Sequence, residues 1–367
     1  MLKLVRWIKS NFVLSIAFCL ALITAFIVPP DSEYVGYFDF KTLACLFCTL
    51  AVICALKNIR FFTVLARTIV HATGNLRSAV LALVFITFFG SMLIANDMAL
   101  ITFLPLGYYV LSSTGKKDHM AFVFVMQNIA ANLGGMLTPF GNPQNLYLYS
   151  HFEIPTGEFV AIMLPPFLAA TVLIVICCLF VKPEKIDLSE KEESKLPPTR
   201  TVLYLILFAV SISVVFHAIP YLLGTAVVLV SLLVLDRKAL LRVDYGLLLT
   251  FTCFFVFAGN LARVELVHTL LSTLLEKSTL LISILSCQVI SNVPSAILLS
   301  RFTADYPSLL LGVNIGGTGT LIASLASLIT FREYSFREPY KIGHYLKVFT
   351  LLNLLFLVIL TVVALVF

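Results

Sequence analysis

The feature that most limits this chain is a succession of apolar runs, each near 20 residues, with little polar sequence between them. A helix needs about 20 apolar residues to cross the hydrocarbon core of a bilayer. On that measure full spans are expected near 11–29, 38–56, 119–150, 157–181, 201–218, 220–235, 243–260, 307–330 and 344–367. Composition closes the alternative. Hydrophobic residues make up 60% of the chain and charged residues 12%, against about 45–50% and about 25% in soluble domains. Too little polar side chain remains to cover a water-facing surface. The sequence therefore excludes a soluble enzyme and a disordered chain, and predicts an all-α polytopic membrane protein.

Two further apolar stretches are interrupted. Residues 78–111 contain Asn96-Asp97, and residues 278–304 contain Ser291-Asn292-Val293-Pro294. Each is expected to form two half-helices, too thin to cross, that meet at a polar tip and return to their side of entry as a re-entrant hairpin. Amphipathic stretches at 58–76 and 261–277 precede them and are expected at the membrane interface. The net charge of +6 lies in short loops, a topology signal and not a nucleic-acid-binding face. With a cytoplasmic N-terminus, Arg77, Lys116, Lys117, Arg337 and Lys341 fall inside, and the acidic Asp31–Glu33 and Glu153–Glu158 fall outside. Lys3, Arg6 and Lys9 precede a run too long for a signal peptide, which is read as a first spanning helix. Cys45-Leu-Phe-Cys48 sits inside an apolar run with no second pair or histidine nearby, so it is read as ordinary apolar packing.

The hydrophilic stretch Lys182–Arg200 is expected to be a solvated linker, and it divides the chain into halves that match. Asn132-Leu133-Gly134-Gly135 corresponds to Asn314-Ile315-Gly316-Gly317, and Thr138 to Thr320. The tip at Asn96 corresponds to Asn292, and Phe38-Asp39-Phe40 to Val243-Asp244-Tyr245. The expected organisation is an N-terminal helix (1–37), a first repeat (38–182, hairpin 78–111), a cytoplasmic linker (183–200), connecting helices (201–241) and a second repeat (242–367, hairpin 278–304). With about nine spanning helices and two hairpins opening to opposite sides, this is an inverted-topology repeat, which serves alternating access around a midplane site.

Broken helices within a membrane must be buried or line a cavity. Four breaks are expected: the two tips, Thr138–Asn145, and Gly316–Thr320. Each exposes N–H groups at a half-helix N-terminus, suited to an anion. Each also frees carbonyls that, with Asn, Ser and Thr oxygens, suit a small hard cation. Close helix packing is the simpler role for the glycines. Asp97 is the most informative single residue, because intramembrane carboxylates by default mark ion or proton pathways. Its counterpart is the uncharged Val293. Arg263 and Arg301, at the hairpin ends, are read as interface anchors. No HExxH, GxSxG or P-loop pattern occurs, so no enzyme is expected.

Gly134-Gly135 followed by Thr138-Pro-Phe-Gly-Asn-Pro-Gln-Asn145 resembles the broken span of the ion transporter superfamily. That group holds divalent-anion:sodium symporters, citrate transporters, sodium/proton antiporters and arsenite permeases. Ser291-Asn292-Val293-Pro294 resembles its second hairpin tip, and Asn314–Ser327 looks closer to the arsenite permease and sodium/proton antiporter branch. The resemblance runs from about residue 38 onward. It implies a substrate held by Asn96, Ser291, Asn292, Thr138, Asn142 and Thr320. It also implies a coupling cation, Na⁺ or H⁺, held by Asp97, Asn96, Gly141, Asn145, Asn292, Gly317 and Thr318. The first tip departs from the symporter pattern, with Ala95-Asn96-Asp97 where those proteins carry Ser-Asn-Thr, and Val293 replaces the second threonine. The expected function is secondary active transport of a small anion, a carboxylate or inorganic oxyanion, across the cytoplasmic (inner) membrane. A Na⁺/H⁺ antiporter and an arsenite efflux permease are the alternatives. No cofactor, no nucleic-acid partner and no metal beyond a possible Na⁺ are expected; a homodimer is compatible with the pattern.

Overall fold

A computed structural model describes residues 12–186 and 196–366. Lys3, Arg6, Lys9 and Asn11, and the linker residues 187–195, lie outside the described residues. Helices are the only extended elements among the described residues, joined by short 3-10 turns and one isolated bridge between Asn75 and Lys185. In chain order they are α1 (Phe12–Ile27), α2 (Phe40–Asn58), α3 (Phe61–His71), α4 (Leu76–Ile94), α5 (Asn96–Ser113) and α6 (Met120–Gly134). They continue with α7 (Pro143–His151), α8 (Thr156–Leu179), α9 (Pro198–Val215), α10 (Tyr221–Leu235), α11 (Arg237–Leu241) and α12 (Tyr245–Ala262). The last six are α13 (Glu265–Lys277), α14 (Thr279–Ile290), α15 (Asn292–Leu299), α16 (Tyr306–Ile315), α17 (Leu325–Arg337) and α18 (Ile342–Val366).

Seven helices among the described residues are long and apolar enough to cross a bilayer, and α1 and α10 are apolar but shorter. The protein is a polytopic membrane protein. The expected thin halves hold for α14 and α15, with 12 and 8 residues, but not for α4. At 19 residues and 1.5 Å per residue, α4 reaches about 28 Å, the thickness of the hydrocarbon core.

Capping residues set where the helices begin, and they recur between the halves. Asp39 accepts from Thr42 N at 2.8 Å and Asp244 from Leu247 N at 2.9 Å. Asn75 caps α4 through Ser78 N and Ser278 caps α14 through Leu281 N. A carboxylate or amide oxygen at this position satisfies an N–H that has no intrahelical partner.

Contacts between loops define two ends of the molecule. At one end Leu76 N donates to Glu184 O (2.8 Å) and Arg77 Nε to Val181 O (2.7 Å), while Lys116 pairs with Glu184. Both the start of α4 and the end of α5 thus meet the segment after α8. Lys341 joins the same end through Asp118. The expected solvated linker is docked here over its first residues. At the other end Arg263 pairs with Asp31 (2.7 Å) and Glu33 (3.4 Å), and Arg301 Nη2 donates to Tyr37 O (2.8 Å). Tyr306 meets Glu158 there, and Lys41 meets Glu153. The start of α14 and the segment after α15 line one surface recess. Arg263 and Arg301, expected as interface anchors, hold the 3-10 turn Ser32–Tyr37 in place.

The protein core carries an unusual load of buried amides. Gln127, Asn128, Asn132, Asn142, Gln144, Asn145, Asn260, Asn314 and Asn353 are all buried. An unpaired amide in such a place costs about 1–3 kcal/mol, so their partners set the geometry of the centre. Cys45 and Cys48 are buried free thiols, as ordinary packing requires.

Candidate functional site

The centre is built around two helix breaks of the same form. Between α4 and α5, Ala95 takes φ 61°, ψ 150°; between α14 and α15, Ser291 takes φ 75°, ψ 159°. Positive φ at a residue with a side chain costs of order 1–3 kcal/mol and persists only where neighbours enforce it. At both tips the next residue is an asparagine that folds its Oδ1 onto the following N–H. Asp97 N donates to Asn96 Oδ1 and Val293 N to Asn292 Oδ1, each at 2.9 Å. Asn96 Nδ2 then reaches Asn132 Oδ1 on α6 (3.1 Å), while Asn292 N and Ser291 Oγ donate to Ala323 O (3.0 and 3.3 Å).

The two broken spans are held by one amide side chain each. After α6 the chain makes a 3-10 turn (Gly135–Leu137) and bends back before α7. Asn145 Nδ2 faces the freed carbonyls of Gly135, Met136 and Thr138 at 3.2, 3.2 and 3.4 Å. This turn closes on itself tightly: a Cβ at Gly135 would stand 2.4 Å from Asn142 Oδ1, and one at Gly141 2.3 Å from Gly135 O. After α16, Gln288 Nε2 faces Gly316 O (2.9 Å) and Thr318 O (3.1 Å), and its Oε1 accepts from Thr320 N (2.9 Å). The aligned threonines behave alike. Thr138 Oγ1 donates to Met92 O (2.8 Å) and Thr320 Oγ1 to Gln288 O (3.1 Å), in both cases the residue four before the tip asparagine.

The halves cross-link reciprocally. Asn132 Nδ2 donates to Ser324 Oγ (3.1 Å), and Asn142 Nδ2 lies 3.4 Å from Asn314 Oδ1. Asn142 and Ser324 are the N-cap residues that restart the helix after each break. Asn314 Nδ2 donates to Asn145 Oδ1 at 2.6 Å, and Asn128 Nδ2 to Ser327 Oγ at 3.2 Å.

Both tips face a cavity of about 330 Å³. Its polar lining is Asn96, Asp97, Gln144, Thr250, Ser291 and Asn292; Leu247, Phe254, Phe257, Leu298 and Leu325 are among its apolar walls. The lining contains no Lys, Arg or His among the described residues. Asp97 Oδ1 and Gln144 Oε1 are buried without a hydrogen-bond partner. A second cavity, of about 70 Å³, is lined by Asp97, Asn142, Thr49 and Asp244. The structure thus brings Asn96, Asp97, Ser291 and Asn292 to one cavity, with Asn142 on the adjoining one. Thr138, Gly141, Asn145, Gly317, Thr318 and Thr320 line neither cavity; their polar groups serve the two broken turns or lie beside them. Gln144, Gln288, Asn132 and Asn314 were not singled out as site residues from sequence. Their signal was an amide in the middle of an apolar run, where an unpartnered polar group is costly. No group of three or more His, Cys, Asp or Glu suited to a metal occurs among the described residues.

The profile of the citrate transporter family matches residues 2–306 of the chain. An uncharacterized transporter of Methanocaldococcus jannaschii is 29% identical over 361 residues, 97% of each chain. An inner membrane protein of Escherichia coli is 31% identical over 281 residues, 74% of each chain. A silicon efflux transporter of Oryza sativa is 28% identical over 160 residues, 42% of this chain and 32% of that protein.

Proposed function

The chain belongs to the citrate transporter family and is a membrane transporter; from that premise we propose that it is a secondary active transporter of a small anion, coupled to Na⁺ or H⁺. The observation that carries this reading is that two like-built helix tips border one cavity, with a carboxylate oxygen of Asp97 buried and unpartnered at the first tip. The N-termini of α5 and α15 offer partial positive charge to an anionic group, and Asp97 offers the charge a coupling cation neutralises.

The contacts at the two ends support helix pairs that each return to their side of entry, as a re-entrant hairpin for the short α14–α15 and with a first helix long enough to cross for α4–α5. The α4–α5 pair starts and finishes beside Glu184, and the α14–α15 pair starts and finishes at the end marked by Asp305 and Tyr306. Pairs that open at opposite ends fit inverted repeats and alternating access. The loop charges support a cytoplasmic N-terminus, and the location in the name of the Escherichia coli relative supports the inner membrane.

The cavity lining limits the charge of the solute. Without a Lys, Arg or His on the described lining, a trianion would meet only amides, two hydroxyls, helix termini and one carboxylate. A monoanion, such as a monocarboxylate or a singly charged oxyanion, is the better match. The same lone carboxylate supports a second reading, cation/proton exchange at Asp97 with no anion.

Thermal stability of the purified protein against a panel of anions, each with Na⁺, with choline and at two pH values, tests the two. A ligand at a hundred times its dissociation constant contributes about 2.7 kcal/mol. An anion that stabilises only with Na⁺ or at low pH supports coupled anion transport. Stabilisation by Na⁺ alone, lost on acidification and indifferent to every anion, refutes it in favour of the exchanger.

A further inference from the structure

Asp97, Pro143, Leu247 and Leu325 line both the larger cavity and the smaller one, and so form the wall the two share. The polar side chains of the smaller cavity are Thr49, Asp97, Asn142 and Asp244. Asn142, 1% exposed, has its amide hydrogens directed at Asn132 O and Asn314 Oδ1, and its unpartnered Oδ1 packs against Gly135. Thr49 donates its hydroxyl to Cys45 O at 3.0 Å and keeps its lone pairs free. Asp97 Oδ1 is also unpartnered, and Asp244 stands exposed as the N-cap of α12. A small space bordered by two carboxylates favours a hard monovalent cation over an anion. Its volume of about 70 Å³ holds about two water-sized groups.

We propose that the coupling cation reaches Asp97 through this second cavity, from the end of the molecule where Asp244 lies exposed, while the solute occupies the larger cavity. Asp97 is then loaded from one side and faces the solute on the other. Neutralising it removes a negative charge from the wall against which an anion sits, which links the two sites through one residue. Asp244 raises the local cation concentration at the mouth. Lys57, Asp236 and Arg242 lie with Asp244 around Cys54, toward the end of α2. Asp236 accepts from Asn58 Nδ2 (2.8 Å) and Arg242 donates to Asn58 Oδ1, so both are engaged with Asn58. The proposal rests on the coupled-transport reading above, and its test separates the two.

The test follows the thermal stability of the purified full-length protein in two titrations: NaCl against choline chloride at pH 8, and pH 8 to 5 in choline alone. Whichever titration stabilises the wild type identifies Na⁺ or H⁺. Asp244→Asn keeps the helix cap, because asparagine caps as well as aspartate. It is expected to raise the half-saturating Na⁺ or proton concentration about threefold at low ionic strength, the scale of one unit charge acting through water at a few ångströms, and to match wild type in high salt. Asp97→Asn is expected to abolish the response. Asp39→Asn, the corresponding cap of α2, is expected to leave it unchanged. A wild type with no response to either cation overturns the proposal, as does an Asp97→Asn protein that still responds or an Asp244→Asn titration identical to wild type. If the cation responses follow expectation but no solute in the panel binds, the anion reading fails and the cation route stands.

Discussion

Gly134→Ala tests whether the tip at Asn96 is positioned by close contact between α4 and α6. A Cβ at Gly134 would lie 2.2 Å from Phe88 O and 2.8 Å from Phe88 C, both backbone atoms, and 2.7 Å from Ser91 Oγ. The serine can rotate; the carbonyl cannot. Side-chain carbons essentially never approach closer than 3.0 Å, so the helices must part by about 1 Å in a region packed at crystal-like density. Overpacking of this kind costs about 1–3 kcal/mol. The Asn96 Nδ2–Asn132 Oδ1 bond at 3.1 Å bridges the α4–α5 pair and α6. Parted by the same amount it is lost, at about another 1 kcal/mol. Alanine returns about 1 kcal/mol through helix propensity, leaving a net loss of roughly 1–3 kcal/mol. Gly343→Ala, with nothing within 4 Å of the added carbon, serves as control and is expected to be neutral or stabilising by about 0.4–1 kcal/mol. The assay is the apparent unfolding midpoint in detergent, with solute and cation responses measured on the same samples. A Gly134→Ala protein with an unchanged midpoint and unchanged responses would refute the view that this contact places the tip.

Two further outcomes are expected. Asn145→Ala removes the donor that faces three carbonyls of the broken turn and the acceptor of Asn314 Nδ2; a loss of about 2–4 kcal/mol is expected, read as a lowered unfolding midpoint. The Arg263 guanidinium, hydrogen-bonded to Asp31, holds that carboxyl below the usual aspartate value of 3.8. A carboxyl depressed in the folded state contributes stability above its unfolded value, and that contribution is lost as pH falls through the folded value. Acidification below about pH 4 is therefore expected to release the turn Ser32–Tyr37, seen as faster hydrogen exchange there. Arg263→Ala should show the fast exchange already at neutral pH.

Membrane class and helix placement were legible in the sequence because both depend on quantities read residue by residue. Apolar length set the spans, and asparagine, aspartate and serine caps set their starts. The correspondence of Asn96 with Asn292 and of Thr138 with Thr320 was also visible, and the tips and threonines take matching hydrogen bonds. The reach of α4 was not legible. The polar tip drew attention to its end, while its N-terminus is fixed by contact with Glu184, more than a hundred residues away in sequence.

Which oxygens remain free was a tertiary decision. From sequence, Gly316–Thr320 and Thr138–Asn145 looked equally open to a ligand, since each break frees carbonyls. In the folded chain Asn145 and Gln288 bring amide nitrogens onto those carbonyls, and the buried oxygens left without a partner belong to Asp97, Asn142 and Gln144 instead. Hydrogen-bond saturation depends on which side chain arrives from elsewhere in the fold. Local sequence determines that a polar group is present in the membrane; only packing determines whether it already has a partner.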